Sequence, residues 1–215
     1  MLSQPRDPTV RGSRGAQVRL GISSCLLGWR VRWDGDHRLD AALLELFRDQ
    51  VEWIPVCPEL EAGLGVPRAP IRLERRDDGV HAVECDSGRD WTAALLDASL
   101  RRVRELEALD LAGYILKSGS PSCGLRDVPV GREGGIEGET SGLGLYADTL
   151  VRRLPGLPLI EAGELREREC FARFVSRVFR SRRESTTRPL ESARDPRERL
   201  VLARFDRLAA REHPD

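Results

Sequence analysis

The chain has 215 residues, a formal net charge of zero, 40% hydrophobic residues and 33% charged residues. This composition is that of an ordinary globular protein, and the zero net charge argues against a protein that coats nucleic acid over its whole surface. No apolar run approaches the ~20 residues that a membrane helix needs, so we expect no membrane partner.

The N-terminal segment and the cysteine count both bear on the cellular compartment. Residues 1–16 are rich in Arg, Pro, Ser and Gly, which predicts a disordered leader rather than a secretory signal. The five cysteines are an odd number, and in a chain without an export signal they do not indicate a disulfide framework. We therefore expect a cytoplasmic protein.

Short apolar runs alternate with helical periodicities along the chain. In chain order, the sequence predicts a strand at 17–22, a helix at 39–47, a strand at 51–56, a hairpin at 71–85 around Asp78-Gly79, a helix at 92–109 capped by Asp90 or Thr92, a strand at 112–116, a helix at 143–154 and a strand at 157–160. This repeated order predicts an α/β fold, a Rossmann-like parallel sheet flanked by helices.

A helical pattern resumes at residue 164 and continues to about residue 180. Residues 181–195 are polar, charged and Pro-containing, which predicts a linker or a solvated turn. A last charged helix is predicted at 196–211. We therefore divide the chain, near Gly163, into a main domain at 17–163 and a short helical C-terminal extension at 164–215.

Three cysteines each lie just after a predicted strand. They are Cys25 in SSCLLG, Cys57 in PVCPE and Cys123 in SPSCG. Because loops at the carboxyl ends of parallel strands converge on one crevice, these thiols are candidates for a single site. Thiolates favour zinc, copper(I) or iron–sulfur centres, and three of them with one open position indicate a catalytic metal site. The spacing leaves the metal open: His37 would complete a Cys3His zinc site, although its charged surroundings favour a solvated role.

The other two cysteines lack this context. Cys85 lies at the end of the predicted hairpin, and Cys170 lies within an apolar helix face. We expect both to be small buried hydrophobic residues.

A set of short motifs, in a fixed order, resembles the thiouracil desulfidase (TudS-like) family. The motifs are SSCLLG at 23–28, VRWDG at 31–35, PVCPE at 55–59, GLGVPR at 63–68, DWT at 90–92 and SPSCG at 120–124. The resemblance runs from about Val18 to Ile160. It implies that 17–163 is a desulfidase domain, in which Cys25, Cys57 and Cys123 hold a [4Fe-4S] cluster. Its fourth iron would be open to the sulfur of a thiolated pyrimidine, and water would replace that sulfur.

Water attack on a ring carbon needs a general base within hydrogen-bond reach. Glu59, two residues past Cys57, is the candidate by position, and the family resemblance points the same way. The alternative role for Glu59 is a carboxylate interacting with free N–H groups at a helix N-terminus. Ser120, three residues before Cys123, is the candidate for relaying a proton or holding the substrate carbonyl.

Further polar residues lie close to these motifs. Ser24 and Ser122 flank the ligand cysteines and are candidates for hydrogen bonds to cluster sulfurs. Arg68 either binds an anionic group or pairs with a carboxylate. Arg32 and Asp34 either orient the first loop or contact substrate.

The expected partner is a small thiolated base or nucleoside, with tRNA containing 4-thiouridine as the second choice. Residues 171–180 have an apolar face with the helical spacing of a buried stripe, which favours packing over phosphate contact by the neighbouring arginines. Two alternatives stay open: a sulfur transferase that passes the sulfur onward, and a non-catalytic zinc-stabilised RNA-binding accessory protein. The sequence does not indicate an oligomeric state.

Overall fold

The computed structural model describes residues 18–133, 136–184 and 195–212. The predicted leader at 1–16 lies outside the described residues. So do residues 185–194 of the predicted linker.

The strands form two separate sheets. In the described residues they are β1 (Val18–Ser23), β2 (Val51–Val56), β3 (Ile71–Arg76), β4 (Gly79–Glu84), β5 (Gly113–Leu116), β6 (Val128–Arg132), β7 (Ile136–Gly142) and β8 (Leu159–Glu161). One sheet is parallel throughout, in the order β2-β1-β5-β8. The second has the order β4-β3-β6-β7 and is mixed, because only its β3–β6 pair is parallel.

The helices cover both faces of the parallel sheet. Those described are α1 (Ala41–Phe47), α2 (Pro58–Glu61), α3 (Thr92–Glu107), α4 (Leu145–Arg153), α5 (Arg168–Glu184) and α6 (Pro196–Glu212). Alternate residues of β5 belong to different hydrophobic clusters: Ile115 packs with α1, α5 and α6, whereas Tyr114 and Leu116 pack with α3 and α4. Since successive strand residues point to opposite faces, these clusters lie on the two sides of the sheet.

This arrangement confirms the predicted α/β fold with a parallel sheet flanked by helices. The predicted hairpin is also present, as β3 and β4. The sequence did not predict β6 and β7. No helix in the described part of the chain is long and apolar enough to span a membrane.

The predicted cap of α3 is wrong. The N-cap residue is Trp91, and it makes no side-chain capping hydrogen bond. Asp90 instead accepts the N–H of Thr92 at 2.8 Å, and the Thr92 hydroxyl accepts the N–H of Ala82 at 2.9 Å. Asp90 and Thr92 therefore form hydrogen bonds near the start of α3 without occupying its N-cap position.

The helical C-terminal end is present and packs on the sheet. Phe171, Val175 and Phe179 of α5 are buried, as the apolar stripe predicts. Phe171 stacks on Phe205 of α6 with a ring separation of 4.7 Å. The backbone of α5 continues to Glu184, so the predicted linker does not begin at residue 181. The division near Gly163 stays a prediction.

Candidate functional site

The three candidate cysteines lie at the carboxyl edge of the parallel sheet. Cys25 lies in a 3-10 turn after β1, Cys57 directly follows β2, and Cys123 lies in the loop after β5. All three line one cavity with a volume of about 140 Å³, together with Glu59 and Ser120. The structure thus brings together all five candidate site residues. The cavity is far larger than the ~10–15 Å³ that a single water requires.

The loop that carries Cys123 is held by α4 and by β8. The carbonyl oxygen of Ser122 accepts the N–H groups of Tyr146 and Ala147 at 3.0 and 3.1 Å. From the end of β8, Glu161 Oε1 accepts the N–H of Leu125 at 2.6 Å. These contacts place the third cysteine through hydrogen bonds to a carboxylate at the end of β8 and to the backbone at the start of α4.

All three thiols are harder to ionise than an ordinary cysteine. Burial raises the pKa of Cys57 to about 12. Burial also raises the pKa of Cys25, although the positive charges of Lys117 and Arg32 oppose this rise. For Cys123, burial raises the pKa well above its usual range, and a hydrogen bond with the Ser23 side chain opposes it. Metal binding at these thiols therefore releases protons.

Positive charge predominates among the residues that line the cavity. The charged lining residues in the described chain are Arg32, Arg68 and Lys117 against Glu59. Nearby cations stabilise thiolates, so the lining favours an anionic group bound by the cysteines.

Glu59 lies in the first turn of α2, and both of its carboxylate oxygens have side-chain partners. Arg68 donates to Oε2 through Nε at 3.0 Å and through Nη2. The Ser122 hydroxyl donates to Oε1 at 2.8 Å. Of the two predicted roles of Arg68, pairing with a carboxylate is therefore the one found. Ser122 directs its hydroxyl proton to Glu59, a partner that the sequence did not predict; a bond to a cluster sulfur stays a prediction.

Ser120 accepts hydrogen bonds from the backbone of its own loop. Its Oγ accepts the N–H of Cys123 at 3.1 Å and the N–H of Ser122 at 3.3 Å. Because a hydroxyl oxygen has two lone pairs and one proton, these bonds use its acceptor capacity and leave its O–H to donate. Ser120 therefore suits holding a substrate oxygen better than relaying a proton.

Arg32 and Trp33, on the first loop, also line the cavity. Arg32 forms an ion pair with Asp34 at 2.8 Å, and this hydrogen bond lowers the pKa of Asp34 to about 2. Trp33 is 44% exposed. The ion pair gives this loop a defined shape next to Cys25.

His37, Cys85 and Cys170, which the sequence did not assign to the site, do not line the cavity. His37 is not among the lining residues, and its Nδ1 accepts the N–H of Leu39 at 3.1 Å. The burial prediction for the other two cysteines is wrong: Cys85 is exposed and Cys170 is only half-buried. Cys85 comes after the last residue of β4, in a turn at the surface, and Cys170 lies in the first turns of α5.

The donor set fits an iron–sulfur cluster better than a single zinc ion. A zinc ion holds its thiolates about 2.3 Å from one point, whereas the thiolates of a cluster bind different iron atoms. In the part of the chain that the structure describes, no three His, Cys, Asp or Glu side chains converge closely enough to hold one ion. Three soft thiolate ligands around one cavity, without a lining histidine, suit an iron–sulfur centre.

Comparison with known proteins places the chain in a family. A sequence model of 2-thiouracil desulfurase matches residues 20–162. The chain belongs to the 2-thiouracil desulfurase family. The matched segment contains all five candidate site residues, and it ends at the start of the 3-10 turn that precedes α5.

Two relatives are similar over large parts of their length. The uncharacterized protein YbbK of Bacillus subtilis (strain 168) is 30% identical over 108 residues, which are 48% of this chain and 71% of that protein. The solved structure of TudS, a [4Fe-4S]-dependent thiouracil desulfidase, is 28% identical with a TM-score of 0.53. It covers 70% of this chain, and 95% of the TudS chain is matched. The family and the resemblance inferred from the motifs therefore agree.

Proposed function

We propose that this protein removes sulfur from a small thiolated pyrimidine, a base or a nucleoside, by hydrolysis that depends on a [4Fe-4S] cluster. One observation carries the proposal: Cys25, Cys57 and Cys123 line the same cavity as an ion-paired carboxylate and a serine with a free donor. The likeness to TudS supports both the reaction and the cofactor.

Cys25, Cys57 and Cys123 would hold the cluster, with Lys117 and Arg32 offsetting its negative charge. When bound, the cluster supplies an iron without a protein ligand, a Lewis acid for the substrate sulfur. No cysteine or histidine besides these three lines the cavity among the described residues, so the protein offers no fourth soft ligand that would compete.

Side chains of the protein assist the attack of water and orient the substrate. Water adds to the ring carbon of the thiocarbonyl, the C–S bond breaks, and the products are the oxo base and hydrogen sulfide without net oxidation or reduction. Glu59 accepts a proton from the attacking water. The Ser120 hydroxyl donates a hydrogen bond to a substrate oxygen and so orients the ring.

The first test is metal content. Anaerobically reconstituted protein is expected to be brown, with about four irons and matching sulfide per chain. Cys25→Ala, Cys57→Ala and Cys123→Ala should each lose this cluster, measured by visible absorption, EPR, and iron and sulfide analysis. Cys85→Ala and Cys170→Ala are matched controls, because both thiols lie outside the cavity, and they should keep it. A colourless zinc protein, or a cluster that survives all three site substitutions, would contradict the proposal.

The second test is turnover with 2-thiouracil, 4-thiouracil, 4-thiouridine and tRNA containing 4-thiouridine. Release of the oxo base with an equal amount of sulfide is expected for the free base or nucleoside. Turnover confined to tRNA would show the alternative substrate. Oxo product without free sulfide would indicate a sulfur transferase.

A further inference from the structure

The carboxylate of Glu59 accepts three hydrogen bonds, two from Arg68 and one from Ser122. Its side chain is 14% exposed, and that of its partner Arg68 is only 5% exposed. Arg68 is itself fixed by two backbone carbonyl groups, since it donates to Gly65 at 2.6 Å and to Val31 at 3.1 Å. The guanidinium therefore has a position that does not depend on Glu59 alone.

The same hydrogen bonds connect Glu59 to two of the three cysteine loops. The Val31 carbonyl oxygen that accepts from Arg68 also accepts from Cys57 Sγ at 3.8 Å. Ser122, which donates to Glu59 Oε1, is fully buried and directly precedes Cys123. The position of the carboxylate is thus set relative to the cysteines by contacts on both of its oxygens.

The acceptor sites of the carboxylate can be counted. An ionised carboxylate has about four lone-pair positions. Arg68 donates twice to Oε2, and Ser122 donates once to Oε1. One acceptor position, on Oε1, stays open for a water molecule in the cavity that Glu59 lines.

We propose that Arg68 and Ser122 are positioning residues, which hold Glu59 so that Oε1 alone receives the attacking water. This inference rests on the proposed function, because it assigns roles within that reaction. The planar guanidinium of Arg68 donates four hydrogen bonds, two to Glu59 and one each to the carbonyl groups of Gly65 and Val31. The ammonium group of a lysine does not reproduce this geometry. Neither residue needs to touch the substrate.

The test compares two arginines that pair with glutamates of the same short helix. Arg68→Met frees Glu59, whereas Arg102→Met frees Glu61, whose 2.9 Å ion pair lies outside the cavity. With reconstituted holoprotein and thiouracil, Arg68→Met should lower kcat about 100-fold with an unchanged KM, because a displacement of about 1 Å costs this much. Arg68→Lys should recover only part of that loss. Arg102→Met should keep the wild-type rate.

Ser122 has its own matched control. Ser122→Ala removes the donor to Oε1, and Ser99→Ala removes a similarly buried hydroxyl that donates to Leu95 at 2.6 Å within α3. We expect a lower kcat for Ser122→Ala and none of that loss for Ser99→Ala. Iron and sulfide content should equal wild type in all these variants, which separates positioning from loss of the cluster.

A double-mutant cycle distinguishes positioning from a merely structural role. If Arg68 acts through Glu59, Arg68→Met should reduce kcat far less in a Glu59→Gln background than in wild type. Equal losses in the two backgrounds, or equal losses for Arg68→Met and Arg102→Met, would overturn the inference while leaving the desulfuration intact. Wild-type holoprotein that converts no thiolated pyrimidine would instead overturn the proposed function.

Discussion

Gly144, the N-cap residue of α4, lies against the backbone of the third cysteine loop. A Cβ at this position would lie 2.4 Å from the carbonyl carbon and oxygen of Ser122 and 2.9 Å from the nitrogen of Cys123. All three are backbone atoms, so no change of side-chain rotamer can relieve the contact. Gly144→Ala must therefore push the helix and the Cys123 loop apart by about 1 Å to reach ordinary van der Waals contact.

This displacement should cost both stability and function. Overpacking of this kind lowers the free energy of unfolding by about 1–3 kcal/mol. It also strains the hydrogen bonds from Tyr146 and Ala147 to the Ser122 carbonyl oxygen. Since a shift of about 1 Å at a reacting site costs roughly 100-fold in rate, we expect kcat to fall by that order, together with a lower iron content.

The assay pairs urea unfolding with iron analysis and thiouracil turnover. Gly156→Ala is the control, because its Cβ would meet nothing within 4 Å and its backbone is not left-handed. That substitution should change the free energy of unfolding by about 1 kcal/mol or less. If Gly144→Ala matches Gly156→Ala in stability, iron content and rate, the close approach of α4 does not determine the position of the Cys123 loop.

Two further predictions concern stability. Hydrogen bonds to Asp90 and, to a smaller extent, to Asp78 raise the pKa of His81. The stabilisation of the folded state by protonated His81 is therefore complete below the unfolded pKa of about 6.5, and it is lost as pH rises through the folded pKa. Urea unfolding should thus show a larger loss of stability between about pH 6 and pH 9 in wild type than in His81→Asn, and equal losses would contradict this. Gly21→Ala should lower the free energy of unfolding by about 1–3 kcal/mol, because its Cβ would lie 2.1 Å from Cδ2 of the buried Tyr114 ring. An unchanged unfolding midpoint would show that the ring moves aside freely.

The convergence of the cysteines could be predicted because it depends on local signals. Each of Cys25, Cys57 and Cys123 follows a short apolar run, and parallel strands carry the residues after such runs to one edge. The period of hydrophobicity and the chain order β–α–β were sufficient for this step. Strands β6 and β7 of the second sheet escaped prediction; within β6 only Val128 and Val130 are buried, which is too short an apolar pattern to indicate a strand.

The hydrogen bonds around Glu59 could not be predicted, because they join residues far apart in the sequence. Ser122 lies 63 positions from Glu59, and nothing in the SPSCG motif distinguishes a serine that donates to a sulfur from one that donates to a carboxylate. Glu161 was missed for the same reason, since its N–H partners lie on a different loop. The exposure of Cys85 depended on where β4 ends, and element ends are the least certain part of a pattern-based prediction.

Hydrogen bonds within the protein help to place all three cysteine loops. The first is fixed by the N–H of Arg38 donating to the Cys25 carbonyl oxygen, the second by the start of α2, and the third by α4 and Glu161. Small zinc domains fold only with their metal because the metal replaces a core. Here hydrophobic clusters on both faces of the sheet supply that core, and Cys25 and Cys123 are buried members of these clusters. The cysteine loops are therefore positioned by packing and hydrogen bonds that belong to the fold itself.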